Sequence, residues 1–285
     1  MGLLKKEKKE TEPQYYLSAI NNQVMNYKVY VMKPAEKLAF FLVTFIVGGL
    51  VGLIFYGGLF KSEGESTIFT FISNIVVFAV VGFLSSKIFV KTINEALRKK
   101  RLKKLKLQFR DFLDSLSNSL SGGMNFNDAI VNAYGDLESQ YSGNAYIVNE
   151  VREMINGAQN NIPIEDLLRD FGNRSGNDDI SNFAIVFETA YRTGGNIKDI
   201  IRRTTDIISE KIMIEEEIQT KITSNKMQMQ IMNVIPIFIV LMLRVSSSEF
   251  NAAFASFVGV ICMTVGIGFF VAAYVLGQKI MDIKG

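Results

Sequence analysis

QFRDFLDSLSNSLSGGMNFNDAIVNAYGDL, residues 108–137, decides the fold. Its apolar residues Phe109, Phe112, Leu113, Leu116 and Leu120, then Phe126, Ala129, Ile130, Ala133 and Leu137, step by three or four, the spacing of one face of an α-helix. A Gly-Gly pair separates the two runs, so the stretch predicts helix, turn, helix. The same period continues outward as far as Lys226. It runs through Ile147, Val148, Val151, Met154 and Ile155, then Ile164, Leu167, Leu168 and Phe171, then Ile180, Phe183, Ala184, Phe187 and Tyr191. A last run takes Ile197, Ile201, Thr204, Ile208, Ile212, Ile218 and Ile222. About six amphipathic helices with short connections bury such stripes by packing as an antiparallel bundle.

Two junctions in this stretch are alike. SGGMNFNDAI (121–130) and TGGNIKDII (193–201) each have two glycines, an asparagine, and an acid three residues after it. Gly122, Gly123, Gly194 and Gly195 read as structural turns, because glycine takes the left-handed conformation that ends a helix. Asn125 and Asn196 then cap the next helices, and Asp128 and Asp199 favour their positive ends. At the second junction the positive φ is expected at Gly195. A third junction, NNIPIEDLL (160–168), places Pro163 in a first helical turn, where a missing N–H costs little. No GxxxxGK[ST] phosphate loop occurs in the sequence.

Outside the bundle the chain turns apolar. Leu38–Phe60 and Ser66–Ser86 each hold about 20 uncharged residues, enough to cross about 30 Å of hydrocarbon. They form a hairpin over the short Lys61–Glu65 connection. The first run begins too far into the chain for a cleaved signal and is expected to be retained. Gly48 and Gly52 stand four apart and could admit a close neighbour, although ordinary membrane-helix composition is the commoner explanation. Met227–Leu243, interrupted by Pro236 and ended by Arg244, is a third span whose arginine can snorkel to the outer interface. A fourth runs from about Ala252 to Leu276. RKKRLKKLK (98–106) carries seven bases and no acid directly after the first hairpin, and only Lys61 and Arg244 of 31 Lys and Arg fall in the far-side loops. By the positive-inside rule both termini and the bundle are expected in the cytoplasm, with Lys61 and Glu249 outside and Asp111 and Lys284 inside. The basic run could also meet anionic lipid.

Composition narrows the function. With 48% hydrophobic and 21% charged residues the chain is too apolar for an ordinary soluble domain, and a net charge of +3 does not suggest nucleic-acid binding. There is no histidine, and the single cysteine, Cys262, lies in an apolar run where a thiolate is disfavoured. The acid clusters Asp178–Asp179 and Glu215–Glu217 point in different directions on their helices and read as solvated faces. No nucleophile and base stand together, and no span holds a central Asp, Glu or Lys, which argues against an enzyme and against a transporter. Only Asn74 and Asn233 leave room for the latter. The residues alone support a membrane-anchored interaction domain. A membrane-bound sensor or signalling scaffold stays open, with a small-solute transporter more remote.

The order hairpin, helical domain, hairpin, with FRDFLDSLSNSLSGGMNFNDAI (109–130) early in the domain and FETAYRTGGNIKDII (187–201) late, resembles the type II secretion system F family. A single copy of the helical unit between two membrane hairpins looks like the platform proteins of tight-adherence (Tad) pili. The resemblance implies an all-α integral membrane protein with four transmembrane helices and a central six-helix cytoplasmic bundle. The apolar runs and the helical stretch divide the chain into a cytoplasmic N-terminal tail (1–37), transmembrane hairpin 1 (38–90), a cytoplasmic F-type domain (91–228), transmembrane hairpin 2 (229–278) and a cytoplasmic C-terminal tail (279–285), and the resemblance covers roughly Phe40 to Leu276. It implies a non-enzymatic inner-membrane platform, without cofactor or metal. That platform would couple a cytoplasmic secretion ATPase to pilin subunits and work as an oligomer with other platform components in the lipid bilayer. The two Gly-Gly turns and Glu188, which precedes the second, are similar to the family's recurrent pattern. Arg202 and Arg203, at the start of the last bundle helix, are candidate contacts for an acidic partner.

Overall fold

The computed structural model describes residues 12–18, 21–59, 67–141 and 143–281. Lys5, Lys6, Lys8 and Lys9, the Lys61–Glu65 connection and Lys284 lie outside them. The chain forms two compact units interleaved in sequence, one of residues 1–31 and 94–214, the other of residues 32–93 and 215–285.

The first unit is the bundle. Six helical segments build it: the second half of α2 (Ile68–Ser121), then α3 (Phe126–Gln140), α4 (Tyr146–Gln159), α5 (Ile164–Ser175), α6 (Asp178–Thr193) and the start of α7 (Ile197–Ser246). The apolar stripes converge as the periodicity predicts. Phe109, Phe112, Leu113, Leu116, Ala133, Leu137, Val151, Phe171, Phe187 and Ile201 are all buried in one core, each large aliphatic or aromatic side chain contributing about 1.5–3 kcal/mol. Phe109 packs edge-on against Phe183 at 5.5 Å and also meets Phe171, which joins α2, α5 and α6. On α7 the stripe stays buried only as far as Ile212, whereas Ile218 is exposed.

Asp179 departs from the solvated-face expectation. It pairs with Lys106 on α2 at 3.3 Å and with Lys211 on α7 at 2.8 Å, tying three helices together. Burial alone would raise its pKa, but the two lysines outweigh burial and hold its carboxyl below the usual range. A depressed carboxylate stabilises the fold above its unfolded pKa, and that contribution disappears as pH falls through the folded value. Asp179→Asn is therefore expected to lower the melting temperature of the helical signal at pH 7. Wild type and variant should begin to converge below about pH 3.9, the unfolded aspartate value, and meet only as pH falls through the lower folded value. A pH-independent gap would contradict this assignment. Glu217 and Lys221, by contrast, form an exposed pair at 2.7 Å on the polar face of α7, as their spacing suggests.

The N-terminal segment, which reads as a polar tail, is built into this unit. Two short antiparallel strands, β1 (Tyr15–Leu17) and β2 (Gln23–Met25), pair Tyr16 with Val24. Tyr27, just after them, is among the most buried side chains of the protein, meeting Tyr146 and Phe171 edge-on. Neither strand is long enough to give a period-2 signal.

The second unit holds α1 (Pro34–Tyr56), the first half of α2, the second half of α7, α8 (Ser248–Ala255) and α9 (Phe257–Met281). Four helices, α1, α2, α7 and α9, are long and apolar enough to cross a membrane. The glycines of α1 do more than follow composition. A Cβ on Gly52 would lie 2.9 Å from Val81 Cβ of α2, and Gly48 and Gly49 face Ser85 and Phe78. Close helix approach in lipid explains all three. Arg244 is used within the unit: its guanidinium donates to the carbonyls of Gly57 (2.6 Å) and Phe55 (2.9 Å), satisfying the C-terminal end of α1. The two intramembrane asparagines satisfy backbone groups, Asn74 accepting from Gly58 N at 2.9 Å and Asn233 donating to Met229 O at 2.8 Å. The fourth span starts at Phe257. Residues 252–255, expected within it, finish α8, a separate short helix capped by Ser247. Ser256 then caps α9 by accepting from Gly259 N at 3.1 Å.

Candidate functional site

The two Gly-Gly turns fall at one end of the bundle. The ring of Phe126, the first residue of α3, lies 5.0 Å from that of Phe187 and 6.2 Å from that of Tyr191 near the end of α6, both tilted, so the turns before α3 and after α6 are neighbours. The α4–α5 junction joins them. Arg192, in the last turn of α6, reaches Glu165 (3.7 Å) and Asp166 (3.6 Å) in the first turn of α5. Three helix starts thus share this end, and each carries carboxylates in its first turn: Asp128, Glu165 with Asp166, and Asp199.

Asn125 accepts from Asp128 N at 2.9 Å and Asn196 from Asp199 N at 3.3 Å. Pro163 is the N-cap residue of α5, one position earlier than its first turn. Gly123 has φ +89 and Gly194 has φ +70, whereas Gly122 and Gly195 do not lie in the left-handed region. The positive φ expected at Gly195 therefore sits one residue earlier. Gly195 instead donates its N–H to Ala190 O at 2.7 Å, closing the end of α6. Gly194→Val is expected to destabilise the fold by about 1–2 kcal/mol, the cost of left-handed backbone for a side chain. A Cβ on Gly195 would lie 3.2 Å from Ala190 Cβ, a contact that a small shift relieves. Thermal melts of Gly194→Val and Gly195→Ala check the order: a larger loss in the second would reverse this assignment.

Glu188 is part of an ionic cluster on the outer faces of α5 and α6. It pairs with Arg169 at 3.1 Å and Arg192 at 3.2 Å, and Arg169 also holds Asp166 at 3.0 Å. Arg202 and Arg203 are exposed on the first turns of α7 and form no ion pair with described residues. Around the same end Met124 and Tyr191 are exposed. Among the described residues no group of acids, histidines or cysteines could hold a metal.

Periodicity also passed over a second constellation. Arg174 and Glu150 form a bidentate pair, Nη2 to Oε2 at 2.9 Å and Nη1 to Oε1 at 3.1 Å, with both side chains nearly fully buried. Tyr27 donates its hydroxyl to Glu150 Oε1 at 2.9 Å. Arg174 further bonds Asp170 at 2.7 Å and the Met25 carbonyl at 2.9 Å. Burial alone would lower the arginine pKa, but its bonds to Glu150 and Asp170 outweigh that and raise it. Burial, then the adjacent Glu150 charge, pushes the Tyr27 phenol up. A signal was present: Glu150 sits among Ile147, Val148, Val151 and Met154, and Arg174 three residues beyond Phe171, both on apolar stripes.

The helical core, the paired turns and the passage of α7 into an apolar span together form one continuous stretch. Residues 112–244 match the family model of the type II secretion system (T2SS), protein F. The T2SS protein F match opens within α2, takes in both Gly-Gly turns and the cluster around Glu188, and closes at Arg244. It leaves out β1, β2, α1, α8 and α9. Glu150 and Arg174 fall inside the T2SS protein F stretch, while Tyr27 falls outside it. No curated protein and no solved structure matches the chain at a significant level.

Proposed function

We propose that this chain is a non-enzymatic inner-membrane platform of a secretion or pilus machine, of the Tad type, that couples a cytoplasmic secretion ATPase to the assembly of pilin subunits. The observation that carries the reading is the T2SS protein F match over the bundle and into α7, in a chain with four apolar helices long enough to span a membrane. In this reading the turn end of the bundle, with Glu188, Arg202 and Arg203, is the face that meets the ATPase. The apolar helices meet pilins, lipid and further platform components. The basic run 98–106 keeps the bundle and both termini on the cytoplasmic side. The platform works as an oligomer. The deciding experiment is copurification from native membranes of the tagged chain with a secretion ATPase encoded nearby. Retention of the ATPase, and its loss on charge reversal of Arg202 and Arg203, supports the platform. A chain that brings down neither ATPase nor pilin sinks it and favours the sensor or signalling scaffold.

Topology is tested separately with single cysteines in a Cys262→Ser background. A cysteine at Glu249 should react with an impermeant reagent in intact cells. One at Asp111 should react only after permeabilisation, and labelling of Asp111 in intact cells would overturn the orientation.

A further inference from the structure

We propose that the ribbon of β1 and β2, together with Asn26–Tyr30, is a releasable strap that closes the bundle across α2, α4 and α5 and opens as a unit while the six helices stay folded. The strap contributes Tyr27 to the main core and buries Val24 and Asn26 as well. Its ribbon is bonded to α4 at Glu153, which accepts from Ser18 Oγ at 2.5 Å and Asn22 Nδ2 at 3.0 Å. Its centre is the Tyr27 ring, whose hydroxyl bonds Glu150 on α4 and whose backbone N–H donates to Arg174 O on α5 at 2.9 Å. Its far end lies along α2, where Arg101 stacks on Tyr30 at 4.4 Å and donates to Val29 O at 3.3 Å. Between these anchors Val24 of β2 is buried, while the outer residues of the ribbon face solvent. A cavity of about 440 Å³, lined by Tyr15, Asn22, Tyr146, Asn149 and Asn156 among others, separates it from α4, and Tyr15 and Leu17 are exposed. Apart from Tyr27, every residue of the main core belongs to the helical part of the bundle, so the helices keep their own buried contacts when the strap opens, and local opening requires less free energy than global unfolding.

The central anchor gives the strap two defined states. Closed, Tyr27 and the Met25 carbonyl complete the bonding of a buried ion pair; open, that pair gains access to water, so a half-open strap would leave charged groups partly satisfied and is disfavoured. The strap also continues through residues 31–33 directly into Pro34, the first residue of α1. It lies outside the T2SS protein F match and does not depend on the platform reading.

Hydrogen exchange on the full-length protein in detergent or nanodiscs tests it. The amides of Asn26 and Tyr27, bonded to Gln14 O and Arg174 O, should exchange at least tenfold faster than those of Val151 and Phe171. Tyr27→Phe removes only the hydroxyl bonded to a buried carboxylate. It should speed strap exchange a further tenfold or more, with the protection of α5 and α6 unchanged. Ser18→Ala, at a half-buried surface contact, should give a smaller increase in the same amides and serves if Tyr27→Phe fails to fold. Strap amides that exchange together with the α5 core, or that respond to neither variant, overturn the proposal.

Discussion

Arg174→Met should be among the most damaging single substitutions in the bundle, lowering its stability by about 3–5 kcal/mol. The arginine fills two roles. It neutralises Glu150, nearly fully buried, and it bonds the Met25 carbonyl and Asp170. Methionine restores much of the volume but leaves the carboxylate in an apolar environment with only the Tyr27 hydroxyl beside it. Such a carboxylate takes up a proton more readily in the folded than in the unfolded state. Its penalty is greatest at neutral pH and shrinks as pH falls toward about 4.3, the unfolded glutamate value. The paired variant Glu150→Leu/Arg174→Met removes both charges and should recover most of the loss, because a buried ion pair is worth little more than well-packed apolar residues. Melting of the far-ultraviolet helical signal between pH 5 and 8 reads all of this. A single variant within about 1 kcal/mol of wild type, inside the range of an exposed pair, would mean that water reaches the pair.

The second large effect is functional and concerns α7, which runs without interruption from Ile197 to Ser246, with Pro236 inside its apolar part. A helix is stiff along its axis. If a partner rotates the bundle, an unbroken α7 carries that movement into the span, whereas a flexible linker would absorb it. A short Gly-Ser insertion between Ser224 and Asn225 should therefore abolish filament assembly outright while leaving folding, membrane insertion and ATPase copurification unchanged. Normal assembly in the insertion variant would remove α7 as a lever and leave the docking proposal standing.

Much of this was legible from residue order, for reasons that can be stated locally. The period of three and four marks which faces must be buried whatever they are buried against, and Phe109, Ile130, Val151, Phe171, Phe187 and Ile208 all reach the core. Uncharged runs of about 20 residues mark the apolar helices, since hydrocarbon accepts little else. The caps at Asn125 and Asn196 are contacts within four residues, so the sequence contains both partners side by side. What the sequence could not place depends on partners far apart in the chain. Tyr27 meets Glu150 across 123 residues, and Arg174 meets Met25 across 149. Nothing local distinguishes a tail that packs from one that does not. Asp179 looked like half of a solvated acidic pair until α2 and α7 brought Lys106 and Lys211 to it. Gly48, Gly49 and Gly52 acquire their role only from the side chains of α2 opposite them. The sequence alone thus determined the bundle helices, their buried faces and the caps at Asn125 and Asn196, because those follow from each segment's own chemistry. The tertiary structure decided which charges are paired in the interior, which glycines of α1 meet α2, and that the N-terminal segment packs into the bundle, because burial and close approach are properties of neighbours that the chain brings together only on folding.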